Sequence, residues 1–260
     1  MISDKYVPSY KLLENNLSIR DDYNKFVRDI RKTRDKTTMI RYEISKKYLK
    51  GRGLEIGAFH APTPLADGCE ADYLDQMSID EIKKRFPKYE DYYCVYPNII
   101  ENGELLISIE DNKYDFLIAN HMIEHTENVF KTIQNHLRVL KKGGILYYAV
   151  PDKRFTFDKN RELTTYEHLK AEYLYGSENY RYEHFLDFVT NVQNVKEEKE
   201  ASKVAKKLSE EGLDTHFHVW TSETFIDHIK KAIDDKILNI EILEHTHKND
   251  IESITILKKL

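Results

Sequence analysis

The sequence predicts an α/β chain built on a doubly wound, mostly parallel sheet, and three observations carry that reading. Between residues 51 and 150, short apolar runs alternate with segments of helical periodicity, the pattern of βα units. The first run, Gly53-Leu54-Glu55-Ile56, enters a turn at Gly57-Ala58, where almost no side chain keeps a ligand from the backbone. At the far end, apolar runs near 237–243 and 251–257 are joined by a short polar link. A link that short closes an antiparallel pair at the sheet edge, because a parallel crossover needs a dozen or more residues. At 260 residues the chain suits one large domain or one domain with a substantial insertion, and it buries enough surface to need no staples.

Taken in order, residues 1–50 hold no glycine and one proline. Tyr23, Phe26, Val27 and Ile30, then Ile40, Ile44 and Tyr48, recur at helical spacing around a polar break near Thr37-Thr38. Two helices are expected there, as supports of the main domain or as a lid. After Gly57 the ordinary crossover helix is missing: residues 59–70 contain Pro62, Pro64 and Gly68, which break helices. A dinucleotide anchors its pyrophosphate at such a helix N-terminus. Its loss favours a nucleoside-like ligand without phosphate.

The second strand is Ala71-Asp72-Tyr73-Leu74-Asp75, and Asp75 lies 18 residues past Gly57, near the spacing at which an acid meets ribose hydroxyls in such sheets. Ser78 and Glu81 form a capping box for the next helix, with Ile79, Ile82 and Phe86 inward. A third strand is expected over about 97–101, ending at Asn102-Gly103. The fourth, Tyr114 to Asn120, leads into His121-Met122-Ile123-Glu124-His125. Val129, Ile133, Leu137 and Leu140 make a helical stripe, with Gly143 as its expected C-terminal stop. Ile145 to Val150 is the fifth strand, stopped by Pro151.

Residues 151–220 are rich in charge and aromatics, with helical patterns around 165–175 and 178–192 that no strand separates. They read as an insertion on the substrate side. The Lys- and Glu-dense run over 195–211 reads as a solvated helix. The sheet pattern resumes with a helix that Ser222 can cap, carrying Phe225, Ile226, Ile229 and Ile233 inward. The expected division is therefore 1–50 helical, 51–150 with 221–260 as the ligand-binding sheet domain, and 151–220 inserted.

Composition narrows the function classes. The net charge is −5 and the pI about 6.1, without a clustered basic face, which argues against a nucleic-acid partner. Two cysteines, Cys69 and Cys94, make no disulfide framework and fit a reducing cytoplasm. No apolar N-terminal region or 18-residue apolar run points to export or a membrane span. A homo-oligomer is left open.

Four stretches together resemble the class I S-adenosylmethionine-dependent methyltransferases: Leu54-Glu55-Ile56-Gly57, Asp75, Asp115 through His121 with Ile123-Glu124-His125, and Leu137 through Leu146. The resemblance implies a Rossmann-like seven-stranded sheet with an antiparallel last strand, S-adenosylmethionine as cofactor and S-adenosylhomocysteine as product. Within that family the shortened first crossover and the stretch Pro151-Asp152-Lys153-Arg154-Phe155-Thr156-Phe157-Asp158 after the fifth strand are similar to a branch that modifies bacterial surface carbohydrates, capsule among them. Cofactor contacts implied are Glu55, Gly57 and Ala58 on the methionine side, Asp75 on the ribose, Asn102 and Gly103 on the adenine, and Asn120 and His121 at the fourth strand end.

Methyl transfer to a hydroxyl also needs a proton acceptor. His121 is the first candidate base, His125 lies four residues on, and His216 is a third. The substrate side is expected to draw on Asp152, Lys153, Arg154, Phe157, Arg161, His168, Arg181 and His184, since arginine forks suit phosphate or carboxylate. His216, His218 and Trp220 alternate, and can form a pocket wall, a base or a metal pair. Two histidines are an incomplete zinc site, and no metal is assigned. The expected reaction is O-methylation of a sugar or of a phosphorylated or nucleotide-linked small molecule. The alternatives are an N-methyltransferase, a nucleotide-dependent oxidoreductase and a non-catalytic relative.

Overall fold

A computed structural model describes residues 10–32 and 35–260; the N-terminal residues 1–9 read above lie outside them. Among the described residues three helices precede the sheet where two were expected: α1 Tyr10–Asn15, α2 Leu17–Asp29 and α3 Lys36–Tyr48. Asn16 divides the first two by accepting from Ile19 N at 3.2 Å, and Asp35 caps α3 through Thr38 N at 2.8 Å.

The remaining elements are β1 Arg52–Ile56, β2 Glu70–Asp75, α4 Ile79–Arg85, β3 Ile99–Ile100, β4 Tyr114–Asn120, α5 Val129–Val139, β5 Leu140–Pro151, α6 Tyr166–Tyr175, α7 Arg181–Asn191, α8 Glu198–Glu211, α9 Ser222–Asp234, β6 Ile240–Asn249 and β7 Glu252–Lys259. They build one seven-stranded sheet in the order β3-β2-β1-β4-β5-β7-β6. The first five pair in parallel, and β7 runs antiparallel to both β5 and β6. The final strand therefore slots inside, and β6 forms the edge. The order and the antiparallel strand match the Rossmann-like seven-stranded sheet that the resemblance implies.

No helix links β1 to β2. The loop is instead pinned from three elements: Glu55 Oε1 accepts from Thr63 N at 2.8 Å, Asn120 Nδ2 donates to Thr63 Oγ1 at 2.7 Å, and Ser45 Oγ donates to the Pro64 carbonyl at 2.5 Å. Leu65, 1% exposed, packs among Ile44, Phe116 and Ile118, supplying the apolar cover a crossover helix normally gives.

Three local expectations are corrected. β3 has two residues rather than five, because residues 87–98 run as a turn and loop. α5 ends at Val139: Leu140 takes extended geometry and already pairs with Tyr114, so Gly143 sits in the β5 lead-in at φ +77° rather than at a helix end. The cap of α9 is Thr221, whose hydroxyl accepts from Thr224 N, while Ser222 is the first helical residue. In the inserted stretch, α7 and α8 share a small core of Phe185, Val189, Ala201, Ala205 and Phe217. Tyr166, Leu169 and Trp220 join the main core beside Phe130 and Phe225.

Candidate active site

The carboxyl ends of β1, β2 and β4 open on one cavity of about 470 Å³. Ile56, Gly57, Leu74, Asp75, Gly103, His121, Met122 and His125 line its floor, and Phe59, Ile82, Phe86 and Tyr89 form an apolar wall. Parallel sheets bind ligands at this edge. Gly57 has φ +67°, its N–H bonds to Leu74 O at 2.9 Å, and a Cβ placed on it meets nothing within 4 Å. The backbone thus faces open space. At Gly103 the reverse holds: a Cβ would lie 2.7 Å from Ile56 Cγ2, so only glycine lets the chain close over the β1 end.

Asp75 ends β2, and its carboxylate bonds Gln76 N at 2.8 Å through Oδ1, keeping acceptor capacity for a ligand. Burial raises its pKa, outweighing the backbone bonds from Gln76 and Met77. Open backbone at Gly57, a carboxylate at the second strand end and an apolar wall fit a nucleoside with a flexible polar tail.

The other expected cofactor contacts stand elsewhere. Glu55 is 1% exposed and holds the proline loop; burial raises its carboxyl pKa to about 7. Asn120 holds the same loop, and Ala58 packs with Tyr23, Tyr73 and Val95. Asn102 turns its Oδ1 back onto Glu104 N and Leu105 N, so its carboxamide oxygen is already engaged. None of these four lines the cavity.

At the other end of the cavity, three histidines surround Glu124. This glutamate is fully buried, and neither oxygen has a hydrogen-bond partner. Its Oε1 lies 3.8 Å from His121 Nδ1, 3.9 Å from His125 Nε2 and 3.9 Å from His216 Nε2. Each ring is held from behind by another carboxylate: His121 Nε2 by Glu252 at 2.7 Å, His125 Nδ1 by Asp214 at 2.7 Å, and His216 Nδ1 by Asp158 at 2.6 Å. An ionised carboxylate only accepts, so each outer nitrogen donates its hydrogen to the carboxylate behind it, and in a neutral ring the inner nitrogen facing Glu124 is the one free to take a proton.

Burial opposes charge on Glu252, Asp158 and Asp214. Their partners nevertheless hold all three below the usual carboxylate range: Arg41 and then His121 for Glu252, to about 2; His216 and Arg161 for Asp158; His125 for Asp214. Burial pulls His125 down, but the Asp214 bond and the Glu124 charge push it up on balance. His121 is set by its backbone as well. It takes φ +49°, and its N–H bonds Ala149 O at 2.8 Å. The group can take up a proton, and Glu124, His125 and His216 have the donor types and spacing of a divalent-cation site. Sequence reasoning assigned no metal because the histidines at 216 and 218 alone make an incomplete zinc site, and an Asp or Glu to complete a magnesium-type one had to come from elsewhere in the chain.

The substrate-side expectations divide. Arg161 is 2% exposed and spends its guanidinium on Asp158, Asp187 and the carbonyls of His216 and Phe217. Recognition of a phosphate by Arg161 is therefore corrected: it is an internal brace. Asp152 is buried and accepts from Arg154 and Ser222 N, and Lys153 Nζ bonds the Arg161 carbonyl. Trp220, 1% exposed, is core rather than pocket wall. Arg154 and Arg181 remain half-exposed beside Glu223 and Glu127, and Phe157 lies over His216 with ring centroids 4.5 Å apart. His168, His184 and His218 leave this cavity altogether and gather on Glu172.

Missed by sequence reasoning were the carboxylates. Glu124 stood between two named residues, and the i, i+3, i+4 spacing of His121, Glu124 and His125 was a usable signal. Asp158, Asp214, Glu252 and Arg41 reach the group only through tertiary packing.

No helix among the described residues is long and apolar enough to cross a membrane. A family model described as "Methyltransferase domain" matches residues 50–232. An uncharacterized Methanocaldococcus jannaschii protein, MJ1123, is 30% identical over 139 residues, half of this chain, and the chain spans 62% of that relative's length. Among solved structures, a Thermotoga maritima methyltransferase described as a possible histamine N-methyltransferase aligns at 14% identity and TM-score 0.43, covering 96% of this chain and 98% of its own. A Methanosarcina mazei S-adenosylmethionine-dependent methyltransferase aligns at 20% identity and TM-score 0.44, covering 84% of this chain and 98% of its own. The chain belongs to the methyltransferase-domain family.

Proposed function

We propose that the chain is an O-methyltransferase acting on a hydroxyl of a sugar, or of a phosphorylated or nucleotide-linked small molecule, in cytoplasmic steps of surface-polysaccharide biosynthesis. One observation carries the O-methyl reading: a single cavity joins the Gly57–Asp75–Gly103 strand ends to His121 and His125. S-adenosylmethionine supplies an electrophilic methyl on a sulfonium, so what the protein must add is alignment and a place for the proton. Asp75 would hold the ribose, and the Gly57 turn the methionine end. The inner nitrogen of His121 or His125 accepts the acceptor's proton, and Glu124 with the rear carboxylates stabilises the resulting imidazolium. An acceptor amine that arrives neutral needs no such base. The carbohydrate class is supported by the likeness of the 151–158 stretch and the shortened crossover to the surface-carbohydrate branch.

The test is a panel of sugars, sugar phosphates and nucleotide sugars with labelled S-adenosylmethionine, run on wild type and Glu124→Gln. A hydroxyl acceptor found in the panel, with Glu124→Gln slowed roughly 10²–10⁴-fold and cofactor affinity kept, supports the reading. Transfer only to amines, or wild-type single-turnover rates in Glu124→Gln and His121→Ala, overturns it.

A further inference from the structure

A second histidine group lies apart from the cavity. His168 and Glu172 stand one turn apart on α6, His184 lies on α7, and His218 on the extended segment before α9. Glu172 Oε1 is 2.7 Å from His184 Nε2 and 3.1 Å from His168 Nε2; His168 Nε2 and His184 Nε2 are 3.3 Å apart; His218 Nε2 is 3.5 Å from Glu172 Oε2. Glu172 and His218 are essentially unexposed, and neither Glu172 Oε2 nor His218 Nε2 has a hydrogen-bond partner. We propose that these four side chains form a tetrahedral structural zinc site that staples α6, α7 and the 216–220 segment together.

The competing reading is a buried glutamate sharing protons with its neighbours. It accounts for His184 and His168, which can both donate to Oε1. It leaves His218 Nε2 and Glu172 Oε2 facing each other unbonded in a closed interior, a cost of about 1–3 kcal/mol for each orphaned group. One cation at the centre satisfies all four donors together. Zinc bonds to histidine nitrogen and carboxylate oxygen run about 2.0–2.2 Å, so a tetrahedron places its donors about 3.4 Å apart. Three of the four separations above, 3.1, 3.3 and 3.5 Å, lie near that figure, and one ligand atom from each of the four side chains lies within 4.8 Å of the others. Three nitrogens and one carboxylate at tetrahedral spacing select zinc over calcium or magnesium, which take more oxygens.

The stretch also needs a staple. α7 and α8 share a small core of five buried residues, and the whole of α8 separates α7 from the 216–220 segment in the chain. A metal that binds the folded form contributes its binding energy to folding. His168 and His184 line a shallow cavity with Thr165 and Glu183, which gives the ion a way in. All four protein ligands are supplied, so no position stays open for catalysis, unlike the group around Glu124.

The test measures metal rather than turnover, so its result is independent of the methyl-transfer reading. Full-length protein is stripped with chelator, reloaded with Zn²⁺ and assayed for bound zinc, melting temperature and S-adenosylhomocysteine binding. Wild type is expected to retain zinc and to melt lower when stripped. Glu172→Gln, which keeps the shape, and His218→Ala should each lose one equivalent, or weaken binding by more than the roughly 100-fold that second-shell changes reach. Should His218→Ala fail to fold, Co²⁺ loaded into wild type and Glu172→Gln decides: the tetrahedral visible spectrum is expected in the first and absent in the second. His216→Ala is the control for the Glu124 group and should keep this equivalent. No zinc retained by wild type, or zinc lost from His216→Ala but kept by Glu172→Gln, overturns the site.

Discussion

Replacing Glu252 with glutamine tests how the histidine end of the cavity is held. Glu252 is 1% exposed, and its two oxygens meet the Arg41 guanidinium side-on at both Nε and Nη2, with His121 Nε2 and Asn249 Nδ2 completing the shell. Two routes give the cost. The carboxyl pKa sits near 2 instead of about 4.5, and about 2.5 units correspond to about 3 kcal/mol. Removing one partner of a buried ion pair independently costs about 3–5 kcal/mol, because the other charge stays behind unpaired. The sign follows from the lowered folded pKa: the contribution is full above about pH 4.5 and fades as the pH falls through about 2. Urea denaturation of wild type and Glu252→Gln at pH 7 and at steps down to pH 3 reads the difference. The expected gap is about 3 kcal/mol at pH 7, shrinking toward acid; Glu172, which also titrates near 2, is present in both proteins and cancels. A gap below about 1 kcal/mol at pH 7, or one that does not narrow toward acid, refutes the reasoning.

Three further outcomes can be checked. Asp75→Ala should weaken S-adenosylhomocysteine binding by about 3 kcal/mol, roughly 100-fold, since charged hydrogen bonds are worth about 1.5–3 kcal/mol each; calorimetry indistinguishable from wild type removes Asp75 from the ribose. Glu55 holds its proton to about pH 7 when folded and releases it near 4.5 when unfolded, so this group makes stability fall as pH rises through that window. Glu55→Gln keeps the Thr63 bond and should overtake wild type in stability at pH 8 by up to about 3 kcal/mol, with the two converging near pH 4.5; a pH-independent loss speaks against a neutral Glu55. His216→Ala should lower kcat while leaving cofactor affinity unchanged, and a matching fall in affinity would place His216 on the cofactor instead.

Much of the sheet was legible because parallel strands buried on both faces read as apolar runs: Tyr114 to Asn120 reads the same in sequence and structure. The missing crossover helix was equally plain, since Pro62, Pro64 and Gly68 exclude it by local sterics. The ends were less legible. β7 slots between β5 and β6 through long-range pairing that no local pattern encodes. At the site, Gly57, Asp75, Gly103, His121 and His125 were visible because strand-end position follows from strand assignment. Glu55 and Asn120 were misjudged for the same reason: strand ends also anchor loops, and Thr63 takes both side chains. Arg161 shows the limit most sharply. Its charge suggested a phosphate, but burial against Asp158 and Asp187 is a tertiary fact.

The proposed catalytic group is divided between two parts of the chain. His121, Glu124 and His125 come from the sheet edge, whereas Asp158, Asp214 and His216 come from the inserted stretch. What joins them is backbone as well as side chain: the Glu124 carbonyl accepts from Phe217 N at 2.8 Å and His218 N at 3.2 Å. The neighbouring residue His218 belongs to the Glu172 group, so whatever fixes that group also fixes His216 against Glu124. The proposed cofactor end rests on Gly57, Asp75 and Gly103, which lie at or just past the carboxyl ends of β1, β2 and β3. On the proposed roles, loosening the inserted stretch is expected to slow proton transfer more than it weakens ligand binding at the Gly57 turn, which a comparison of turnover with S-adenosylhomocysteine affinity checks.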